Sequence, residues 1–298
     1  MSDFSPQTRN SAWWSGDSRL AAQGKANVAI LTKQGKMERE DLSDNEAVQM
    51  GHVMEPVIGR LAQSKLQVEL TKIEDALTHP KEEWLRSHFD FVGKENGKTI
   101  LVEAKNYSAA TRSKFDADTG LMPVADMAQL VHEATVFGCE TVYLAVLFGG
   151  QEFVLIRQDI SEAMKEAHIK EMAVLWAHVV AGTALPPESV EQAKALYPVS
   201  SEATKLASAS VEQAVLMLAA IKREIKALED REDQYQTLIQ GYMENKSTLT
   251  SIDGNVLATW KSAKSSKKFD AKLFEQAMPD IYKQFIRETP GSRRFLIK

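Results

Sequence analysis

The chain of 298 residues has one cysteine, Cys139. That excludes a disulfide framework, a multi-cysteine zinc site and a four-cysteine iron–sulfur cluster. Cys139 follows Gly138 in an apolar context and reads as a small buried hydrophobe, kept reduced in a cytoplasmic compartment. Long apolar runs are missing as well. None approaches the roughly 18–20 residues of a membrane span, so no membrane segment is expected. The opening residues, Met1-Ser-Asp-Phe-Ser-Pro6, lack the basic and apolar regions of a secretion signal. Excess charge is also small, with 36 Lys and Arg against 41 Asp and Glu, a net of −5. A protein that coats nucleic acid indiscriminately is expected to be basic, so a long electrostatic track over the whole surface is excluded. The average hides a gradient, because from Val256 onward ten Lys and Arg accompany only four Asp and Glu. No internal repeat and no low-complexity segment is visible.

What is present is a globular composition, 44% apolar and 26% charged, sufficient for one large domain or two modest ones. The first forty or so residues are mixed, with Trp13-Trp14 as their apolar anchor. From Asn45, a candidate N-cap, apolar residues recur at helical spacing through Met50, Met54, Ile58 and Leu61, and Pro56 predicts a kink after Glu55. Strands are predicted at Val68–Ile73, Arg86–Val92 and Thr99–Lys105, then a helix near Val124–Phe137. Strands at Thr141–Phe148 and Phe153–Arg157 follow, and a helix from about Ile160 to Val180 ends at Gly182. This order describes an α/β fold, a mixed sheet flanked by helices, over residues 1–197. Residues 198–298 form a mainly helical extension with a hairpin at Asp253-Gly254 and a basic end. In it Val211, Val215, Leu218, Ile225, Leu228, Tyr235, Leu238 and Tyr242 fall close to heptad spacing. Two helices packing on the domain, or on each other, and a self-associating coiled coil both fit that pattern.

The informative stretch runs from Arg86 to Lys105. If Asn96-Gly97 is a two-residue hairpin turn, Asp90 lies across from Glu103, and His88 across from Lys105. Alternation then puts these four on one face, and Phe89, Phe91, Val102 and Ala104 on the other. Two opposed carboxylates with Cβ atoms about 5 Å apart are destabilising unless a positive charge sits between them. A hard divalent cation, Mg²⁺ or Mn²⁺ as its substitute, meets that need with one or two protein carboxylates and several waters. Lys105, two residues beyond Glu103, can then place a water or offset charge on a phosphate. Together these groups point to metal-assisted phosphodiester hydrolysis.

Asp90, followed after a hairpin by Glu103-Ala104-Lys105, resembles the PD-(D/E)xK nuclease motif, and the surrounding pattern resembles the YqaJ-type viral recombinase branch that includes lambda-type exonuclease. Gly51-His-Val-Met-Glu55-Pro56, Gln129 and the Trp176…Gly182…Pro186 segment are similar to further motifs of that family, in the same order. The likeness spans roughly residues 10–190. It implies a restriction-endonuclease-like core in which Asp90 and Glu103, with the backbone carbonyl of Ala104 and with Glu55, hold the metal. It makes Lys105 the catalytic lysine and Gln129 a supporting hydrogen-bond partner. Arg19 matches the family's N-terminal arginine and is implied to bind a DNA 5′-phosphate. Here, however, Leu20-Ala-Ala-Gln-Gly-Lys25-Ala-Asn27 replaces the usual Gly-rich, Thr-Ala-Ser-like stretch. Ser87-His88-Phe89 likewise replaces the usual residues before the aspartate.

The resemblance implies a Mg²⁺-dependent deoxyribonuclease, a 5′-to-3′ exonuclease on the ends of linear double-stranded DNA that leaves single strands for phage-type recombination. It further implies a homo-oligomer, commonly a trimer, a single-strand-annealing recombinase partner, and a phage or prophage product in the cytoplasm of a bacterial host. A structure-specific or internal-site endonuclease on the same fold is one alternative. A non-catalytic DNA-binding or assembly protein is the other. In the basic extension Lys261, Lys264, Arg293 and Arg294, interleaved with Trp260 and Phe295, suit phosphate tracking and base stacking. The same segment also reads as an accessory fold with Trp260, Phe274, Tyr282 and Phe285 at its centre.

Overall fold

The computed structural model describes residues 6–287 and 291–297. The chain divides into two compact units, Met1–Pro198 and Val199–Lys298. The first opens with α1 (Pro6–Asn10), β1 (Trp13–Trp14), α2 (Ser15–Ala22), α3 (Ala26–Lys33) and α4 (Glu46–Leu66). Next come β2 (Leu70–Lys72), β3 (Leu77–Thr78), β4 (Leu85–Ser87), β5 (Phe91–Glu95) and β6 (Lys98–Tyr107), then a 3-10 turn at Ala109–Lys114. It closes with α5 (Val124–Phe137), β7 (Thr141–Phe148), β8 (Glu152–Asp159), α6 (Glu162–Ala181) and α7 (Val190–Leu196).

The central sheet has the order β2-β5-β6-β7-β8. Only β6 and β7 are parallel, and the other neighbours are antiparallel. Every residue of β7 is buried, as befits a strand with helices on both faces. On one face Ile58 and Ala62 of α4 pack against Phe91, Ile100, Val102, Tyr143, Ala145 and Leu147. On the other, α5 and α6 join Trp13 and Ile30 over Leu101, Val142, Leu144 and Val146. This is a mixed sheet flanked by helices. A smaller sheet, β1-β4-β3, anchors the N-terminal segment, with Trp13 and Trp14 pairing in parallel to Leu85 and Arg86.

Local chemistry explains the boundaries. The Asn45 side chain accepts from the Ala47 and Val48 amides at 3.0 and 3.2 Å, capping α4. Pro56 removes a helical donor without ending α4, which continues to Leu66. Asn96 and Gly97 both have positive φ, 50° and 78°, the geometry of a two-residue primed turn whose twist matches its strands. The pairs that follow, from Glu95–Lys98 to Phe91–Val102, keep the register expected from the sequence.

Arg86–Val92, however, is not one strand. Its first part is β4, in the small sheet, and its last two residues begin β5. The chain turns between them, which changes the side-chain alternation. Phe89 therefore packs edge-on against Phe137 of α5, 5.4 Å between ring centres, on the face opposite Phe91. His88 stacks on Trp14 at 5.2 Å instead of pairing with Lys105. The first forty residues also carry more structure than expected, three helices of which α2 and α3 pack on the α5 side of the sheet.

The second unit begins with α8 (Ala209–Met243), one continuous helix of 35 residues where two were a possibility. A short hairpin follows, β9 (Thr248–Thr250) and β10 (Val256–Thr259), turning at Gly254 with φ 81°. Two short helices, α9 (Ala271–Ala277) and α10 (Pro279–Phe285), complete it. Phe274 packs against Phe269 and Tyr282, at 5.1 and 6.4 Å, whereas Trp260 and Phe285 are exposed.

Helix α4 packs tightly on the sheet at Gly59, where a Cβ would lie 2.4 Å from the Phe91 ring. Overpacking of this kind costs about 1–3 kcal/mol. Gly59→Val is expected to lower the urea midpoint accordingly, and Phe91→Leu in the same chain to recover part of the loss. Equal midpoints for wild type and Gly59→Val would show that α4 does not sit this close.

Candidate active site

The cleft of about 400 Å³ at the end of the central sheet is lined by α4, the residue before β5, the last residues of β6, and Arg19 of α2. Asp90, Glu103, Lys105 and Glu55 all line it. The strands set the first three. After the Phe91–Val102 pair, β5 offers β6 no further backbone partner, and the Ala104 amide instead donates to Asp90 Oδ2 at 2.8 Å. In a regular strand the N–H and C=O of one residue point to the same side, so the Ala104 carbonyl faces the same gap. Glu103 and Lys105, two apart on β6, share the face toward α5, and Lys105 Nζ lies 2.5 Å from Glu103 Oε1. Glu55 reaches the cleft from α4, where it pairs with Lys72 at 2.9 Å.

Helix α5 supplies the floor. Gln129 Nε2 donates to Glu103 Oε1 at 2.5 Å and to Glu133 Oε1 at 2.8 Å. Its Oε1 accepts from Arg19 Nη1 at 3.2 Å. Arg19 also pairs with Asp126 through Nη1, and donates to Tyr107 Oη through Nη2 at 2.7 Å. Its side chain keeps 27% of its exposure. Asp90, Glu103, Lys105, Ala104, Gln129, Glu55 and Arg19 are thus brought to one place. Lys261, Lys264, Arg293 and Arg294 belong to the second unit, where all four are exposed.

The electrostatics are lopsided. Burial, and then the charge of Glu103, push the carboxyls of Asp90 and Glu133 well above the usual range. Burial alone would lower the Lys105 ammonium, but Glu103 and Asp90 outweigh it and hold Lys105 above its ordinary value. Burial likewise pushes Tyr107 up to about 12, so its hydroxyl stays protonated and donates to Asp126 at 2.7 Å. Three buried or half-buried carboxyls therefore face one ammonium. Among the described residues no group of three or more His, Cys, Asp or Glu side chains is arranged to hold a metal by itself. Two carboxylates and a backbone carbonyl, all hard oxygen donors, nonetheless suit a cation that keeps waters of its own, and its charge is what the cleft lacks.

Glu133, Asp126 and Tyr107 were not singled out from the sequence. Periodicity carries the signal: Asp126, Gln129 and Glu133 fall three and four apart on α5, and Glu103, Lys105 and Tyr107 alternate along β6. A second unexpected group fastens α2 to α5. His132 Nε2 meets the Arg86 carbonyl at 2.9 Å, which makes Nε2 the protonated nitrogen and leaves Nδ1 to accept. Ser18 Oγ lies 2.8 Å from that Nδ1, and His168 Nε2 lies 3.2 Å from it. Trp13 donates its indole N–H to Ser18 Oγ at 3.1 Å. Ser18 and Arg19 are adjacent, as are His132 and Glu133, so this buried network fixes the helices that carry the cleft residues.

Burial, and for His132 also the neighbouring His168, lower these two imidazoles to about 3 and about 4. A depressed histidine stays neutral in the folded state while the unfolded chain takes up a proton near pH 6.5. Stability from this source is complete above pH 6.5 and is lost as pH falls toward 4. His168→Phe removes one such group, so between pH 7.5 and 5 the wild type is expected to lose on the order of 2 kcal/mol more stability than the variant. Parallel pH profiles by chemical denaturation would contradict the neutral, buried state of His168.

The family model described as the YqaJ-like viral recombinase domain matches residues 20–140. That span is narrower than the 10–190 suggested by the motifs. It contains Glu55, Asp90, Glu103, Lys105 and Gln129, and Arg19 lies one residue outside it. No curated protein sequence matches the chain. Among solved structures, an alkaline exonuclease (LHK-Exo) from Laribacter hongkongensis is 15% identical, covering 58% of this chain and 90% of that one with a TM-score of 0.46. A phage related exonuclease from Haemophilus somnus 129PT is 10% identical, covering 55% and 82% with a TM-score of 0.40. The Holliday junction resolvase Hjc of Archaeoglobus fulgidus is 17% identical, covering 46% and 99% with a TM-score of 0.21. The mixed sheet between helices places Asp90 just before one strand and Glu103-x-Lys105 on the next, an arrangement similar to that of the PD-(D/E)xK motif. Over residues 20–140, somewhat less than half of its length, the chain is therefore similar to the YqaJ-like viral recombinase domain.

Proposed function

We propose that this protein is a divalent-metal-dependent deoxyribonuclease that degrades linear double-stranded DNA from its ends, 5′ to 3′, leaving single strands for recombination. The observation that carries the reading is the convergence of Asp90, Glu103 and Lys105 in one cleft, with a deficit of positive charge among oxygen donors. Mg²⁺, with Mn²⁺ as substitute, is the cation that fits. Asp90, Glu103 and the Ala104 carbonyl would hold it, with Glu55 reaching them from α4. When bound it would supply Lewis-acid chemistry, activating water and offsetting charge on the departing oxygen.

The chain's own residues have separable tasks. Lys105, held protonated, donates hydrogen bonds to the attacking water or to a non-bridging phosphate oxygen where negative charge accumulates. Gln129 fixes the Glu103 carboxylate and so its direction toward the cleft. Arg19, clamped by Asp126 and Tyr107, presents a cation at the cleft wall suited to a terminal 5′-phosphate. This gives end recognition a residue without requiring a basic surface, in keeping with the net charge of −5. A homo-oligomer around DNA and a single-strand-annealing partner belong to the same reading.

The test is digestion of end-labelled linear duplex and closed circular duplex, with Mg²⁺ and with EDTA. Linear DNA is expected to be consumed from its 5′ ends and circular DNA spared. Removing a transition-state donor or a metal ligand costs at least about 10²–10³ in rate, so Lys105→Ala and Glu103→Ala should lose that much. Equal cleavage of circles, or activity that survives both substitutions in folded protein, would overturn the reading.

A further inference from the structure

Helix α8 has a heptad seam that its own unit leaves exposed. Taking Val211 as position a, the a residues are Val211, Leu218, Ile225, Glu232 and Ile239, and the d residues are Ala214, Ile221, Leu228, Tyr235 and Tyr242. Nine of these ten are apolar. Tyr235 is 62% and Leu228 60% exposed, and Ile221 and Ile225 are about half exposed. A helix of 35 residues, about 52 Å long, with such a stripe buries it against another helix or is not stable. Charged residues on the back of the helix, such as the Lys226–Asp230 pair at 2.8 Å, leave the seam as its longest apolar stripe.

The charges beside the seam choose the partner and its direction. We infer that α8 pairs with α8 of a second copy of this chain as an antiparallel two-stranded coiled coil. Centred between Lys226 and Ala227, that pairing sets Ile225 against Leu228 of the second copy, Leu218 against Tyr235, and Val211 against Tyr242. Glu224 then meets Arg231, and Lys222 meets Glu229. Each ion pair forms twice by symmetry. Met217 meets Leu238, widening the apolar contact. A parallel, in-register pair fails on the same residues, since it sets Glu224 against Glu229 and buries Glu232 against its own copy. The antiparallel pair instead sets each Glu232 opposite Ile221, in separate layers. Polar residues at a positions commonly specify register and direction in this way.

The contact is twofold and self-complementary, so it joins copies in even numbers whatever assembly the nuclease unit forms. It does not depend on the catalytic reading, and its test uses no DNA.

The experiment uses the full chain with Glu212→Cys spin-labelled, because native Cys139 is buried and its thiol is pushed up to about 11 by burial. At 1.5 Å per residue, an antiparallel pair separates the two labels by about 45 Å, whereas a parallel pair brings them within about 20 Å. Pulsed electron–electron resonance is expected to show the longer distance. Sedimentation then compares E224R with E224R/R231E. The single change sets a new guanidinium against Arg231 of the second copy and should weaken association about tenfold, and the double change should restore it to within a few-fold. A short distance, no label–label distance at all, or a single variant that associates as well as wild type would each overturn the inference.

Discussion

At Asp90 the β5–β6 ladder changes from backbone to side chain. The hairpin pairs residue with residue up to Phe91 and Val102, and the next β6 amide facing that side, on Ala104, is satisfied by the Asp90 carboxylate. That substitution opens the sheet at this point. Had β5 continued, a backbone carbonyl would occupy the place of a carboxylate, and the Ala104 carbonyl would face another strand. The parallel pairing of β6 with β7 holds the other side of Glu103 and Lys105 rigid, and β7 is buried throughout. The cleft is thus a strand end fixed on one side and open on the other.

The same opening creates an electrostatic conflict. Burial, and then the charge of Glu103, push Asp90 and Glu133 toward their neutral forms, while Glu103 and Asp90 outweigh burial and hold Lys105 charged. Replacing either acid with an amide would relieve the conflict. That it is built in, with Gln129 donating to both Glu103 and Glu133, supports the proposal of an external cation. Arg19 is treated differently, since Asp126 and Tyr107 pair with it and it brings little net charge to Asp90 and Glu103. The Ser18–His132–His168 network is neutral and buried, a mechanical link between α2 and α5.

Local rules made the core of this account legible in the sequence. The Asn96-Gly97 turn fixed the hairpin register, and with it the meeting of Asp90 and Glu103. Unbroken apolar runs marked β7, and α5 has the bounds its periodicity predicted. What could not be read there came from longer range. A single extended run from Arg86 to Val92 is locally reasonable, and the pairing of β4 with β1 on one side and β3 on the other splits it between two sheets. The packing of Trp13 and Ile30 over α5, and the link from Ser18 to His132, join residues far apart in the chain, and neither leaves a local pattern. Glu133 was accessible through the Gln129 helix face, but nothing in a single sequence says which face of α5 meets the sheet.

The proposed function requires that Asp90 and Glu103 form a divalent-cation site. Mn²⁺ titration followed by electron paramagnetic resonance tests it without substrate, comparing wild type with Glu103→Gln. Saturable Mn²⁺ binding is expected in the wild type, competed by Mg²⁺ and lost in the variant while the fold is retained. Equal binding by both proteins, or none by either, would contradict it.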